Sequence, residues 1–139
     1  MEGLRSIRKS DFQTAIEKAM QALPVWRELG DVYWEADTLA MLGSAHNHFA
    51  KFDRAIDYYS QVLVLRRQIK DRAGESNAIS DLGAVCFGQN KYEQALVYHN
   101  QALAIKRELQ DRAGEARVLY PAANANFQAG HYAQVLILA

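Results

Sequence analysis

The chain repeats itself every forty residues, and this periodicity restricts the possible folds more than any other feature. The segment Asp-Arg-Ala-Gly-Glu begins at Asp71 and again at Asp111, and Asp31 begins a looser copy forty residues earlier. One aromatic column has the same interval: Phe12, Phe52, Tyr92 and Tyr132. A chain of equal-length units is expected to fold as an array in which each unit packs mainly on its neighbours.

Within one unit, the spacing of apolar residues predicts two helices. Leu39, Leu42, Gly43 and His46 fall at positions i, i+3, i+4 and i+7, and apolar residues between 52 and 63 continue that period in a second segment. Glycine and alanine on these stripes allow two helix axes to approach closely. We therefore expect each unit to be an antiparallel helical hairpin.

Polar residues and glycine mark the ends of the predicted helices. The three aspartates that open the units stand where an N-cap side chain accepts a hydrogen bond from the first helical turn. Asn90 and Gly130 stand where the first helix of a unit reverses, and both tolerate a left-handed backbone. Ala50 occupies the same column and tolerates that conformation less readily, so we expect its turn to be the least regular.

The repeat predicts one domain over residues 1–139. Its two partial and two complete units are 1–30, 31–70, 71–110 and 111–139. In the first unit we expect residues 1–10 to end one helix and residues 11–29 to form another, bent at Pro24. The apolar run at 135–138 contrasts with the polar outer face that a terminal solenoid unit needs. This run predicts a longer parent array or an end that docks on another copy.

The columns resemble those of the tetratricopeptide repeat family, in the forty-residue form found in bacterial tandem arrays. The family pattern is a bulky residue, Leu-Gly, an aromatic residue followed by alanine, and a final pair ending in leucine. It maps onto Leu39, Leu42-Gly43, Phe52, Ala55 and Val62-Leu63, and onto Ile79, Leu82-Gly83, Tyr92, Ala95 and Ala102-Leu103. Cys86 and Asn126 depart from a column that is usually aromatic. The resemblance implies an all-α fold, a right-handed α-solenoid of antiparallel helix hairpins.

The resemblance also implies a concave groove lined by the first helix of each unit. The stripe beside the packing stripe supplies its candidate residues: Asp37, Ser44, Asn47, Asn77, Ser80, Phe87, Arg117, Tyr120, Asn124 and Phe127. Asparagine and serine can pair with the backbone of an extended peptide, and aromatic rings offer apolar pockets. The predicted function is a non-catalytic protein–protein interaction scaffold that binds a peptide or helix of a partner protein.

One type of groove is disfavoured by the residues. Some relatives grip a terminal carboxylate with a lysine, two asparagines and further basic residues. The corresponding positions here are Ala40, Ser44, Asp81, Arg117 and Pro121. Only Arg117 could help to bind a carboxylate, so the sequence argues against such a clamp.

Composition argues against several other partners. Sixteen basic and sixteen acidic side chains cancel, which removes the positive field that nonspecific nucleic-acid binding needs. Residues 1–20 carry too many charges for a signal peptide or a membrane span. The single cysteine, Cys86, cannot form an internal disulfide, and it favours a reducing, cytoplasmic setting. Cys86 falls in the packed column, so we expect a structural rather than a reactive thiol.

No constellation for catalysis, a cofactor or a metal is evident. His46 and His48 lie two apart, and such residues point to different faces of a helix. We expect His46 and His99 to pack in the core and His131 to be exposed. Two pairs are expected to be surface ion pairs rather than catalytic acids: Arg72 with Glu75, and Arg112 with Glu115. Phosphate-loop, nucleophile and zinc motifs are missing from the sequence.

Two alternatives to the scaffold stay open. The apolar C-terminal end could make the chain a self-assembling structural module and hence a homo-oligomer. The chain could also be the regulatory fragment of a larger multidomain enzyme.

Overall fold

The computed structural model describes the backbone of residues 2–130 and the side chains of residues 11–130. This part of the chain is all-helical and contains six helices: α1 Glu2–Leu29, α2 Val32–His48, α3 Phe52–Gln68, α4 Arg72–Gly88, α5 Tyr92–Glu108 and α6 Arg112–Gln128. Each helix packs on the next, and α4 also touches both α2 and α6. The predicted all-α solenoid of helical hairpins is confirmed. His131, Tyr132 and the apolar run at 135–138 lie outside the described residues.

One glycine in each complete hairpin brings its two helices close together. Gly43 of α2 is buried against the ring of Tyr59 of α3, and a Cβ added to it would lie 2.9 Å from that ring. Gly83 of α4 meets the ring of His99 of α5 in the same way, at 2.8 Å. Both rings are buried. The Leu-Gly pairs of the repeat therefore set the distance between paired helices.

Phe52, at the start of α3, fills the space between two units. Phe52 of α3 packs against a buried cluster that contains Leu82 and Val85 of α4. Its ring also lies on Gly88, where an added Cβ would approach it to 2.8 Å. Phe52 thus contacts the first helix of the following unit, and each hairpin buries apolar surface that it could not cover alone.

The aspartates that open the units are N-caps, as predicted. The side chains of Asp71 and Asp111 each accept a hydrogen bond from the backbone N–H of a glycine three residues later, at 2.9 Å. Asp31 accepts one from the N–H of Trp34 at 3.2 Å. Each bond satisfies a donor that the helix itself leaves unpaired.

The turns after α1 to α6 share one backbone conformation with a positive φ. The residues that adopt it are Gly30, Ala50, Lys70, Asn90, Gln110 and Gly130. The expectation that the Ala50 turn is the least regular is wrong. Ala50 has φ 57° and donates to Asn47 O at 3.0 Å, while Asn90 has φ 63° and donates to Phe87 O at 3.0 Å. The hydrogen bonds and the packed helices impose the turn, so alanine adopts a strained conformation.

The first helix differs from expectation. α1 continues from Glu2 to Leu29, whereas we predicted a break near residue 10. The backbone stays helical at Ser10, which lies forty residues before the turn at Ala50. Pro24 and Pro121 lie inside α1 and α6, and both helices continue through them.

Glycine at position 50 is expected to stabilise the chain. Ala50→Gly removes the steric strain of the left-handed conformation, so the free energy of unfolding should rise by roughly 0.5–1 kcal/mol, the entropy cost of glycine included. Gly30→Ala is the matched control, because an added Cβ there meets no atom within 4 Å and tests the backbone alone. It should lower stability by a similar amount. Urea unfolding measures both, and a less stable Ala50→Gly would contradict strain at this turn.

Gly83→Ala is expected to lower the free energy of unfolding by about 1–3 kcal/mol, because its methyl group would press on the His99 ring. This loss would occur although alanine favours a helix over glycine by about 1 kcal/mol. In a His99→Ala background the same substitution should be neutral or stabilising. Unfolding curves of the four proteins in this cycle provide the test. Equal effects in both backgrounds would mean that the ring contact does not set the helix distance.

Candidate functional site

The predicted groove residues lie on the first helices, α2, α4 and α6. We define the groove face as the surface formed by these ten residues. Five of them are exposed: Ser44, Asn77, Arg117, Tyr120 and Phe127. Five are half-buried: Asp37, Asn47, Ser80, Phe87 and Asn124. Since none is fully buried, the face is accessible along its length.

Two clefts between α4 and α6 bring six of the ten residues together. The polar cleft has a volume of about 160 Å³ and is lined by Asn77, Ser80, Asp81, Lys106, Gly114, Arg117 and Val118. The aromatic cleft has a volume of about 150 Å³ and is lined by Ala84, Phe87, His99, Tyr120, Pro121 and Asn124. The other four candidates do not line either cleft: Asp37, Ser44, Asn47 and Phe127.

Lys106 of α5 forms the base of the polar cleft, and the sequence reading missed it. The residue is only 6% exposed. Its Nζ donates to Asn77 Oδ1 at 2.9 Å and lies 3.7 Å from Asp111 Oδ2. A buried ammonium needs such partners because it has lost its water. Asn77 is therefore a structural partner of Lys106 as well as a residue of the groove face.

Arg66 of α3 occupies the equivalent position one unit earlier and is 7% exposed. Its guanidinium donates to Asp37 at 2.5 Å and to the N-cap Asp71 at 3.3 Å. It also lies 5.0 Å from the ring centre of Tyr33, within the range of a cation–π contact. A buried base in the second helix thus ties a groove residue of its own hairpin to the cap of the next unit. The basic residues at 66 and 106, forty positions apart, are the sequence signal from which these contacts could have been predicted.

Asp81 is the unusual member of the polar cleft. It is half-buried, and no hydrogen bond or ion pair of its carboxylate occurs among residues 11–130. Burial raises the pKa of Asp81 to about 6. Burial and the nearby Asp81 charge raise the pKa of Tyr59 to about 12. The sequence reading used Asp81 only to reject a carboxylate clamp and did not identify it as a site residue.

The aromatic cleft combines one exposed ring, Tyr120, and one half-buried ring, Phe87, with an uncharged floor. Tyr120 is 79% exposed, and the Phe87 ring meets Tyr92 edge-on at 5.1 Å. His99 lies at the base and is 1% exposed. Burial lowers the pKa of His99, so its ring is neutral at physiological pH. The cleft therefore suits an apolar or aromatic side chain.

His46, His48 and Cys86 are engaged in packing or hydrogen bonding within the fold. His46 is buried, with Nδ1 2.8 Å from Leu42 O, and His48 is exposed and stacks on Phe12 at 4.2 Å. The two rings thus lie on different sides of α2, as predicted. Cys86 is buried and burial raises its pKa, so its thiol is protonated near neutral pH. In the part of the chain that the structure describes, no group of three potential ligands could hold a metal ion.

One of the two predicted surface ion pairs is present. Arg72 binds Glu75 at 3.1 Å and is held in place by Glu108 of α5 at 2.7 Å. The pairing of Arg112 with Glu115 is wrong, because Glu115 binds Arg107 at 2.8 Å instead. That contact belongs to a repeated bridge between a second helix and the next first helix: Arg27 with Glu35, Arg67 with Glu75 and Arg107 with Glu115. Across residues 2–130, no helix has the length and apolar character of a membrane span.

Comparisons with solved structures identify similar helical arrays. The crystal structure of BtubC (BKLC) from P. vanneervenii matches with a TM-score of 0.84 and 21% identity, over 94% of this chain and 54% of that chain. The crystal structure of Rap protein complexed with Competence and Sporulation Factor matches with a TM-score of 0.86 and 14% identity, over 94% of this chain and 36% of that chain. The chain thus spans about half of the first protein and about a third of the second. At these identities the likeness shows the fold.

The sequence itself matches a family model. No curated protein matches the chain, but the model described as tetratricopeptide repeat matches residues 38–108, which is just over half of its length. The matched segment contains the Leu-Gly pairs, the aromatic residues at 52 and 92 and the ring-on-glycine contacts of both complete hairpins. The chain belongs to the tetratricopeptide repeat family.

Proposed function

We propose that this chain is a non-catalytic interaction module that binds a peptide or short helix of a partner protein along the groove face. The observation that carries the proposal is the pair of clefts between α4 and α6, which places the rings of Tyr120 and Phe87 beside polar side chains. Protein interfaces are enriched in such aromatic residues, which combine a large apolar area with few rotatable bonds.

The exposed ring of Tyr120 supports this function because the fold does not need it. A large side chain that is 79% exposed contributes little to the core. It stands beside Phe87 and Asn124, which line the same cleft. An apolar side chain of a ligand could insert between the rings, while the Asn124 amide could donate to and accept from a peptide backbone.

The two clefts are spaced for an extended segment. Ser80 lines the polar cleft and Phe87 lines the aromatic cleft, seven residues apart on α4. A helix rises about 1.5 Å per residue, so the two positions are about 10 Å apart. An extended peptide advances about 3.3 Å per residue. About three residues of a ligand could therefore connect both clefts.

The comparison with Rap also supports a ligand-binding role. That protein has a similar fold and was crystallised in complex with Competence and Sporulation Factor. A helical array of this shape is thus compatible with ligand binding. The buried Cys86 fits the cytoplasmic setting proposed for such a module.

Replacing Tyr120 and Asn124 together by alanine is expected to weaken partner capture at least tenfold, since interface anchors commonly contribute 1–2 kcal/mol or more. Affinity capture from an extract of the source cells, quantified by mass spectrometry, provides the measurement. The matched control replaces Val64 and Val97 by alanine, because both are exposed apolar residues on the second helices. This control should retain the partner. Equal recovery with both double variants would count against the groove face.

A further inference from the structure

The polar cleft contains a carboxylate, Asp81, that makes no hydrogen bond or ion pair with another residue of 11–130. The other acids near the groove face have partners: Asp37 binds Arg66, and Asp111 binds the Gly114 N–H and lies near Lys106. Asp81 has no such contact among the described residues. A half-buried carboxylate has lost part of its hydration, and the protein does not replace it with hydrogen bonds. A hydrogen-bond donor that enters the cleft would therefore stabilise the Asp81 carboxylate.

Three titratable groups face Asp81 from the neighbouring helices. Lys106 of α5 is engaged by Asn77 and Asp111. Arg117 of α6 is exposed, and its charge helps to lower the pKa of Asp111. Tyr59 of α3 has a raised pKa and is neutral. Asp111 thus partly compensates the two cations, whereas Asp81 has no ion pair among the described residues.

The shape of the cleft suits a cation on an apolar stem. Its volume of about 160 Å³ holds a charged head group with a few methylene groups. Ser80 Oγ offers a second hydrogen-bond acceptor. Val118 and Gly114 form an apolar part of the cleft wall. Lysine and arginine side chains combine these two properties, because a methylene stem carries the charge.

We propose that the polar cleft receives the cationic side chain of a lysine or arginine of the bound ligand, with the Asp81 carboxylate as its counter-ion. This proposal rests on the proposed function, because it assumes that the ligand lies on the groove face. It adds a specificity that the aromatic cleft does not supply.

The pairing predicts a pH dependence with a definite sign. Asp81 has a pKa of about 6, so it is mostly ionised at pH 7.5 and mostly protonated at pH 5. Protonation removes the charge that attracts the cation. Affinity for a basic ligand should therefore fall as the pH drops through 6, and the fall should disappear in Asp81→Asn.

A random seven-residue peptide library displayed on phage, selected on the whole chain at pH 7.5, provides the probe. Peptides whose binding is lost in Tyr120→Ala should share a lysine or arginine at one position. Replacing that residue by norleucine, or Asp81 by asparagine, should each weaken binding of the synthetic peptide about tenfold. Combining the two changes should add little, because both remove one contact. The control Asp57→Asn removes an exposed carboxylate of α3 and should leave affinity unchanged.

The outcomes separate this proposal from the proposed function. Peptides that need Tyr120 but show no basic preference, or that bind Asp81→Asn as tightly and with the same pH profile, would overturn the cation site alone. A library that gives no peptide sensitive to Tyr120→Ala would overturn both. Loss of fold does not explain weaker binding if Asp81→Asn melts at the same or a higher temperature at pH 7.5. A higher value is expected, because the variant removes a poorly hydrated charge, and the difference should shrink towards pH 4.

Discussion

The close contact between a ring and a glycine, repeated in each complete hairpin, is the interaction on which the rest of the structure depends. Tyr59 on Gly43 and His99 on Gly83 set the distance between paired helices. At that distance the apolar stripes of paired helices face each other. Phe52 and its neighbours then fill the space between units. The stripe beside the packing stripe is then left at the surface of α2, α4 and α6, where it forms the groove face.

Buried bases connect this face to the stacking of the units. Arg66 and Lys106 each join a polar residue of the groove face to the aspartate that caps the next first helix. A buried charge with good partners contributes less to stability than to a unique arrangement, because its desolvation offsets much of the attraction. The ties therefore fix how one hairpin is placed on the next, and with it the width of the clefts between neighbouring first helices.

The sequence predicted the hairpins and caps because these depend on local spacing: an apolar period, a Leu-Gly pair and an aspartate three residues before a free N–H. The sequence did not predict features that depend on residues distant in the chain but close in space. The strained turn at Ala50 is imposed by the helices on either side, and the tie of Arg66 to Asp37 joins residues on different helices. Likewise, the stripe that forms the groove face can be read from the period, but the isolation of Asp81 depends on which side chains surround it across α4 and α6.

Chemical-shift mapping by NMR, with isotope-labelled chain and a peptide that binds it, tests the central claim most directly. Binding on the groove face predicts that backbone amide signals shift along one side of α4 and α6, at Ser80, Asp81, Phe87, Tyr120 and Asn124. Signals from exposed positions of α3 and α5, such as Val64 and Val97, should stay in place. Shifts confined to those outer positions, with α4 and α6 unaffected, would contradict the account.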